Sequence, residues 1–541
     1  MRFLLRPGAV MVWAVLSTVA GIVCAAAISQ WWWILPAVGA SLLIAIPSFT
    51  TLHGGSLFGI FSRRRRKDGG YTPVRVREVD GACVILEGDT VSVWAEVLPE
   101  NDVELTTVSG DGISTRPYVQ LDKIVPFLTQ SDVAVEDVTV TTVGYSSFLP
   151  SYPAANVVMS SVGNVSESLG GRTWITVRVN VADNIVAASK RSPRTKRSDP
   201  VDNFDQGMMN AVVNAMSRVR VVVEEGGHSV VFLSPEMIKQ ATSIITVGTS
   251  GVFDGAHAHG FDSASNESVH AFAFYTRRRP SRPDVTAWAQ LPATRTIVST
   301  TVTPIRGTRD SARVNDNVIM VSRNEKIVSQ AKKLGLFVLP NQQRQIASRV
   351  IPAVRSLPVS QENYPLERGV PHPVLHRGGG VGTYIGTTPQ GDKLFVRVRP
   401  FTGATLHLVG TPEFHRIMVM RMLMETDTIN VRVPEGTKEY NAWKYMEQRI
   451  HSPLFAVGDV SQDADIVVTT ADMYAHVRSE CGDDQTIIVV SETTPSMALV
   501  NAITVSGDMA VATANETKQE RAYFVPTPAE VTFVAAPDDN S

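Results

Sequence analysis

Between residues 7 and 62 no Asp, Glu, Lys or Arg interrupts the chain, and two apolar runs fill most of that interval. The first, residues 10–28, is long enough at 1.5 Å per residue to cross a hydrocarbon layer of ~30 Å. The second starts at Trp31-Trp32-Trp33, runs through residues 34–49 and can extend towards Ile60. Only Ser29-Gln30 separates the two, so the pattern predicts a helical hairpin, since a helix satisfies its own backbone polar groups in lipid. Trp31, Trp32 and Trp33 read as interface anchors at the turn. Arg2 and Arg6 before the first run, and Arg63, Arg64, Arg65, Arg66 and Lys67 after the second, place both flanks on the cytoplasmic side. A cleaved signal peptide competes for the first run through Ala25-Ala26-Ala27, but the second run and the polybasic stop favour an uncleaved anchor.

Beyond the anchor the periodicity changes from segment to segment. Residues 91–98 (VSVWAEVL) predict a strand, and Pro117 opens a helix through Leu128 that Pro126 should kink or shorten. Residues 138–143 predict a strand ended by Gly144. In 173–181 (TWITVRVNV), Thr173, Ile175, Val177, Val179 and Val181 share one face at period two. Met208, Val212, Met216, Val219 and Val223 mark one face of a helix over 204–225, capped by Gly226-Gly227. A strand at 228–233 follows, then Ser234-Pro235-Glu236 as a helix start. Further strands are expected at 269–275 and 294–302, and a helix or turn at 344–354. This alternation predicts α/β layers.

Residues 358–380, rich in Pro and Gly and without periodicity, read as a linker. Past it, strands are expected at 394–398, 405–409, 428–433, 466–470 and 486–491, with a helix over 412–425, as a second α/β unit with parallel pairing. The expected architecture is therefore a membrane-anchored α/β protein. It has an N-terminal two-helix transmembrane hairpin with basic stop (1–67), a cytosolic α/β domain (68–357), a linker (358–380) and a C-terminal α/β domain (381–541).

A length of 541 residues is too great for one domain, and the formal net charge of −2 gives no global electrostatic case for nucleic acid. Three cysteines, Cys24, Cys83 and Cys481, form neither a disulfide framework nor a metal spacing, which suits a reducing location for the bulk of the chain.

Candidate chemistry is sparse. The run from Gly378 to Gly386 resembles a phosphate loop, but its spacing is GxGxxxG and it follows His376-Arg377 rather than a clear strand, so turn chemistry is favoured. Gly410 lies between a strand and a helix, where an anion could sit at the helix N-terminus, without companion glycines or Lys. His257, His259 and His270 with Asp254 and Asp262 could gather a metal, yet they sit in a Gly- and Ser-rich stretch. Asp463-Ala464-Asp465 matches a DxD pair but at dipeptide scale, where caps and solvated turns are commoner. The basic run 190–197 (KRSPRTKR) reads as solvated surface, with acidic headgroups or an acidic partner as the other reading. No HExxH, GxSxG or kinase motif set occurs. No cofactor, metal or catalytic residue is nominated.

The chain resembles the EccE subunit of actinobacterial type VII (ESX) secretion systems. The residues that carry the resemblance are the apolar pair ending at Lys67, the Gln130-Ser131-Asp132-Val133 turn, Gly171-Arg172-Thr173-Trp174 and the 208–223 helix. They continue with Ser234-Pro235-Glu236-Met237, Ala287-Trp288, Gly335-Leu336 and Asn341-Gln342-Gln343 before Leu357. The resemblance runs in order to roughly residue 355. Segments 190–200 and 251–268 look like insertions, and 378–541 exceeds many relatives. It implies a structural, non-enzymatic subunit of the inner-membrane core complex, multi-pass, with most of the chain cytoplasmic. Its expected partners resemble EccB, EccC and EccD, together with membrane lipids and no nucleic acid, supporting export of small helical proteins. The family's cytosolic layer is similar to that of glycosyltransferases, which supplies the alternative of a membrane-anchored glycosyltransferase-like enzyme. A ligand-sensing protein is a third class and would require a pocket.

Overall fold

The computed structural model describes residues 75–536 with interruptions, the longest at 110–116, 146–152, 247–263 and 339–362, and in addition the pairs 51–52 and 55–56. Two large sheets dominate it. In the first, twelve strands pair antiparallel throughout. Its centre is the run Ser311–Ser322, Arg295–Pro304, Val135–Tyr145, Gly170–Asn180 and Thr90–Pro99, flanked by His270–Thr276 on one side and Ala82–Glu87 and Arg75–Val79 on the other.

Helix Pro200–Glu225 covers one face of this sheet. Met208, Val212, Met216, Val219 and Val223 are all buried there against Val91, Val93, Ile175 and Val177. Each such side chain contributes roughly 1.5–3 kcal/mol by leaving water. The helix stops where Gly227 takes φ +84°, a left-handed conformation that glycine adopts without a Cβ penalty. Helix Pro235–Thr246, opened by the Ser234 hydroxyl accepting from the Met237 amide, buries Ile238, Ala241 and Ile245 in a cluster with Trp94 and Trp174. Helices Arg282–Ala289 and Ile327–Lys333 place Trp288, Ile327 and Ala331 in a further cluster with Phe272, Phe274 and Val318.

The second sheet has eleven strands. Phe455–Val457, Ile429–Arg432, Ile466–Thr470, Thr486–Ser491, Thr405–Val409 and Ala502–Ser506 run parallel, in that spatial order. Met509–Ala514, Lys518–Tyr523, Thr383–Thr387, Lys393–Val398 and Val103–Val108 continue it antiparallel. The last of these belongs by sequence to the first unit. Helix Pro153–Val162 also crosses over, burying Ala154, Val158 and Val162 in the second sheet's core. Thr411, Thr437 and Thr527 cap the helices that follow them, each hydroxyl accepting from an amide three residues on.

The expectation of a membrane-anchored α/β protein with an N-terminal transmembrane hairpin is corrected by these findings. Two large β-sheets, one antiparallel and one mixed, form the framework of the described residues, and none of the eleven α-helices among them is long and apolar enough to cross a membrane. The longest, Pro200–Glu225, carries charges along its outer side, including Arg218, Arg220 and Glu224. Residues 1–50 and 57–67 lie outside the described residues, so Trp31, Trp32, Trp33, Arg63, Arg64, Arg65, Arg66 and Lys67 do as well. Within the suggested extension of the second run, Thr51–Leu52 pairs antiparallel with Gly55–Ser56 instead of continuing a helix. β-Branched Thr50 and Thr51 followed by Gly54-Gly55 disfavour helix and suit a tight reversal.

The first unit departs from the expected α/β layer for a definite reason. Gly170–Asn180 and His228–Phe232, joined through helix Pro200–Glu225, run in the same direction, but Thr90–Pro99 lies between them and pairs antiparallel with both. Strand–helix–strand alternation in sequence does not reveal such an intervening strand. The stretch 358–380, expected as a linker, is described from residue 363. It supplies strand Tyr364–Glu367, paired with Ser311–Val314, and then buries His372 and His376.

Candidate functional site

Three strands of the first sheet, Val135–Tyr145, Arg295–Pro304 and Ser311–Ser322, present Thr142, Thr300 and Asp316 on one face, and the segment after Tyr364–Glu367 lies across them. His376 Nδ1 is 2.9 Å from the Thr142 hydroxyl and its Nε2 is 2.8 Å from the Thr300 hydroxyl. The Thr300 hydroxyl donates to Asp316 Oδ1 at 2.6 Å, and the Tyr364 hydroxyl donates to Asp316 Oδ2. His372 Nε2 lies 2.6 Å from that same tyrosine oxygen, while its Nδ1 accepts from the Val374 amide at 3.2 Å. Asp316, His376 and His372 are all buried.

The donors fix one arrangement of protons. Because Thr300 and Tyr364 both donate to Asp316, their oxygens are left to accept, from His376 Nε2–H and from His372 Nε2–H. His376 Nδ1 then accepts from Thr142. Every proton in the chain points towards one carboxylate. Burial, and after it the neighbouring His372, lowers the His376 pKa to about 3, so its ring is neutral near pH 7. Burial and then the Asp316 carboxylate push the Tyr364 phenol far above its ordinary range, so it remains a donor.

A cavity of about 120 Å³ opens beside the Thr142 end of this chain. Its walls are the ends of Val135–Tyr145 and Gly170–Asn180, helix Arg282–Ala289, and residues 373–381. Trp288 and Val298 give it apolar surface, with Thr142, Thr296 and His376 among the polar positions. The Trp288 indole donates to the Leu334 carbonyl at 3.1 Å, which fixes that wall.

The glycine run lies at the same place but is a packing device. A Cβ at Gly378 would stand 2.7 Å from the Leu98 carbonyl carbon, one at Gly382 2.4 Å from the Val396 oxygen, and one at Gly386 2.1 Å from the Tyr523 oxygen. Gly379, at φ +93°, leaves the room that the Arg397 guanidinium fills, and Arg397 Nη1 donates to the Gly378 carbonyl. Gly378 thus lets the run pass against Leu98 of the first sheet, while Gly382 and Gly386 let it lie close to strands Lys393–Val398 and Lys518–Tyr523 of the second.

Gly410 donates its amide to Ser491 O at 2.9 Å and ends the parallel strand Thr405–Val409, beside Phe414. Asp465 precedes the parallel strand Ile466–Thr470 and accepts from both the amide and the hydroxyl of Thr428, at 2.6 and 2.7 Å. In parallel strands the end of one and the start of another lie on opposite edges, so Gly410 and Asp465 do not share a cleft. Asp463, Asp254, His257, His259 and Asp262 fall outside the described residues. His270 starts a strand paired with Ser322 and Ser265. Among the described residues no group of three or more His, Cys, Asp or Glu side chains could hold a metal ion. Of the basic run, Lys190 and Arg191 end helix Ile185–Arg191, and Arg191 pairs with Asp132 at 2.6 Å.

Thr142, Thr300, Asp316, Tyr364, His372 and His376 were not nominated by sequence. They are scattered over more than two hundred positions, and the one local signal is the pair of histidines in a Pro- and Gly-rich stretch. Comparison with protein-family models and with curated proteins gives no match.

Proposed function

We propose that this chain is a non-catalytic structural subunit of a type VII secretion core complex at the plasma membrane, working beside partners that resemble EccB, EccC and EccD in the export of small helical proteins. The observation that carries the reading is the use made of the chemistry-bearing residues. The glycine run admits Arg397 and the backbone of neighbouring strands, Asp465 holds Thr428, and the buried His–Thr–Asp–Tyr chain ties 363–376 to the first sheet. Such residues join elements into one body, which is what a scaffold requires. The ordered series of EccE-like motifs supports the same reading and supplies the partners.

The test is gentle detergent extraction of the tagged chain from its own cells, followed by identification of the co-purifying chains and an export assay after deletion. Recovery of the EccB-, EccC- and EccD-like subunits with loss of export is expected. Recovery of the chain without them, with export intact, would overturn the proposal. The glycosyltransferase-like alternative draws on the six parallel strands and the Thr411-capped helix at their carboxyl edge, where α/β sheets bind ligands. Saturable binding of a sugar nucleotide, abolished by substitutions at that edge, would favour it instead.

A further inference from the structure

We propose that the cavity between helix Arg282–Ala289 and strand Arg295–Pro304 is a binding site for a small carboxylate with a compact apolar body. Four features of its lining point to that chemistry. The Thr296 hydroxyl is buried, lines the cavity and has no hydrogen-bond partner among the described residues, so it offers a donor to whatever enters. Arg282 and Arg377 line the cavity and, among the described residues, no Asp or Glu does, which favours an anion. Arg282 is exposed in the first turn of its helix and has no ion-pair partner among the described residues. Finally, Trp288, Val285 and Val298 provide apolar surface in a space of about 120 Å³, comparable with cavities that accept a single benzene ring.

The neighbouring polar groups do not compete for the ligand. Thr142 and His376, on the inner wall, already satisfy each other, whereas the Thr296 hydroxyl remains open to a ligand. The segment 373–381 forms one wall and also carries the glycines on which Leu98 and Arg397 pack. Occupancy therefore braces the place where the two sheets meet. This site is independent of the secretion reading, since neither its lining nor its ligand was part of that argument.

The probe is 4-fluorobenzoate, followed by its fluorine resonance against the purified full-length chain at low salt, with 4-fluorobenzamide as the uncharged control. Arg282→Glu alters an exposed residue and Thr296→Val conserves volume, so both variants should fold. The expected result is saturable binding of the benzoate, weaker for the benzamide, and weakened about tenfold or more by each substitution, as the loss of a charge-assisted hydrogen bond implies. Absence of saturable binding up to about 10 mM overturns the proposal, because so weak an association carries under about 3 kcal/mol. Equal binding of benzoate and benzamide, or binding unchanged by both substitutions, overturns it as well.

Discussion

Arg421 and Glu530 face each other through two parallel hydrogen bonds, Nε to Oε1 at 2.7 Å and Nη2 to Oε2 at 3.0 Å, with both side chains buried. Arg421 also donates to the carbonyls of Tyr384 and Ile385, and Glu530 accepts from the Ser161 hydroxyl. This pair therefore joins helix Pro412–Met422, the C-terminal helix Pro528–Val534, strand Thr383–Thr387 and helix Pro153–Val162 from the first half of the chain. Glu530→Ala leaves an uncompensated buried guanidinium, and an expected loss of ~3–5 kcal/mol follows, read from urea unfolding.

The same pair gives a pH dependence. Burial raises the Glu530 carboxyl, but hydrogen bonds and charge from Arg421 outweigh it and hold the group below its ordinary value of 4.5. A lowered carboxyl contributes stability that is present above pH 4.5 and is lost as pH falls below it, through the folded-state value. Unfolding free energies measured down that range should decline more steeply for the wild type than for Glu530→Gln.

His376 acts over a higher window. Its pKa falls from 6.5 to about 3 in the folded protein, so the unfolded chain binds the extra proton below pH 6.5. Stability is then lost as pH drops from 6.5 towards 3, with a slope of up to ~1.4 kcal/mol per pH unit from this one site. His376→Gln should flatten that slope, and nitrogen NMR of the wild type should show a neutral ring protonated on Nε2 near pH 5. A charged imidazole at that pH would refute the proton arrangement.

Gly379→Ala and Gly391→Ala separate packing from backbone strain. Both glycines are left-handed, at φ +93° and +91°, but a Cβ at Gly379 would lie within the Arg397 guanidinium, whereas at Gly391 nothing stands within 4 Å. Gly391→Ala should cost roughly 1–2 kcal/mol from conformation alone. Gly379→Ala should cost distinctly more in thermal unfolding, because Arg397 must also leave the Gly378 carbonyl. Similar losses for the two would show that the close approach is unimportant.

Asp465→Asn tests the structural role of that acid. Its carboxylate accepts from Thr428 twice, so the change should lower stability by roughly 1–3 kcal/mol, and under the proposed scaffold role export and complex assembly should continue. Loss of export at normal protein level would return Asp465 to the list of chemical residues.

The amino-acid sequence by itself determined those elements whose signal is contained in one stretch. Helix Pro200–Glu225 follows from apolar residues three and four apart and a terminal Gly-Gly, and strand Gly170–Asn180 from strict alternation. The kink expected at Pro126 is visible as a change from α-helix over Leu121–Ile124 to 3₁₀-helix over Val125–Leu128. Four of the six parallel strands of the C-terminal half, Thr405–Val409, Ile429–Arg432, Ile466–Thr470 and Thr486–Ser491, were legible as short apolar runs, whereas Phe455–Val457 and Ala502–Ser506 were not, and the strand expected at 394–398 pairs antiparallel.

Tertiary structure alone decided which strands became neighbours. Pairing is fixed by backbone hydrogen bonds between segments that may be hundreds of residues apart, and no local period encodes the partner. Thus Val103–Val108 joined Lys393–Val398 in the second sheet, and Thr90–Pro99 came between two strands that sequence order would place side by side. The buried chain from Thr142 to His372 and the cavity beside it arose the same way. Each residue is ordinary in its own stretch, and only the juxtaposition of three strands with a Pro- and Gly-rich segment excludes water and makes their hydrogen bonds point to one carboxylate.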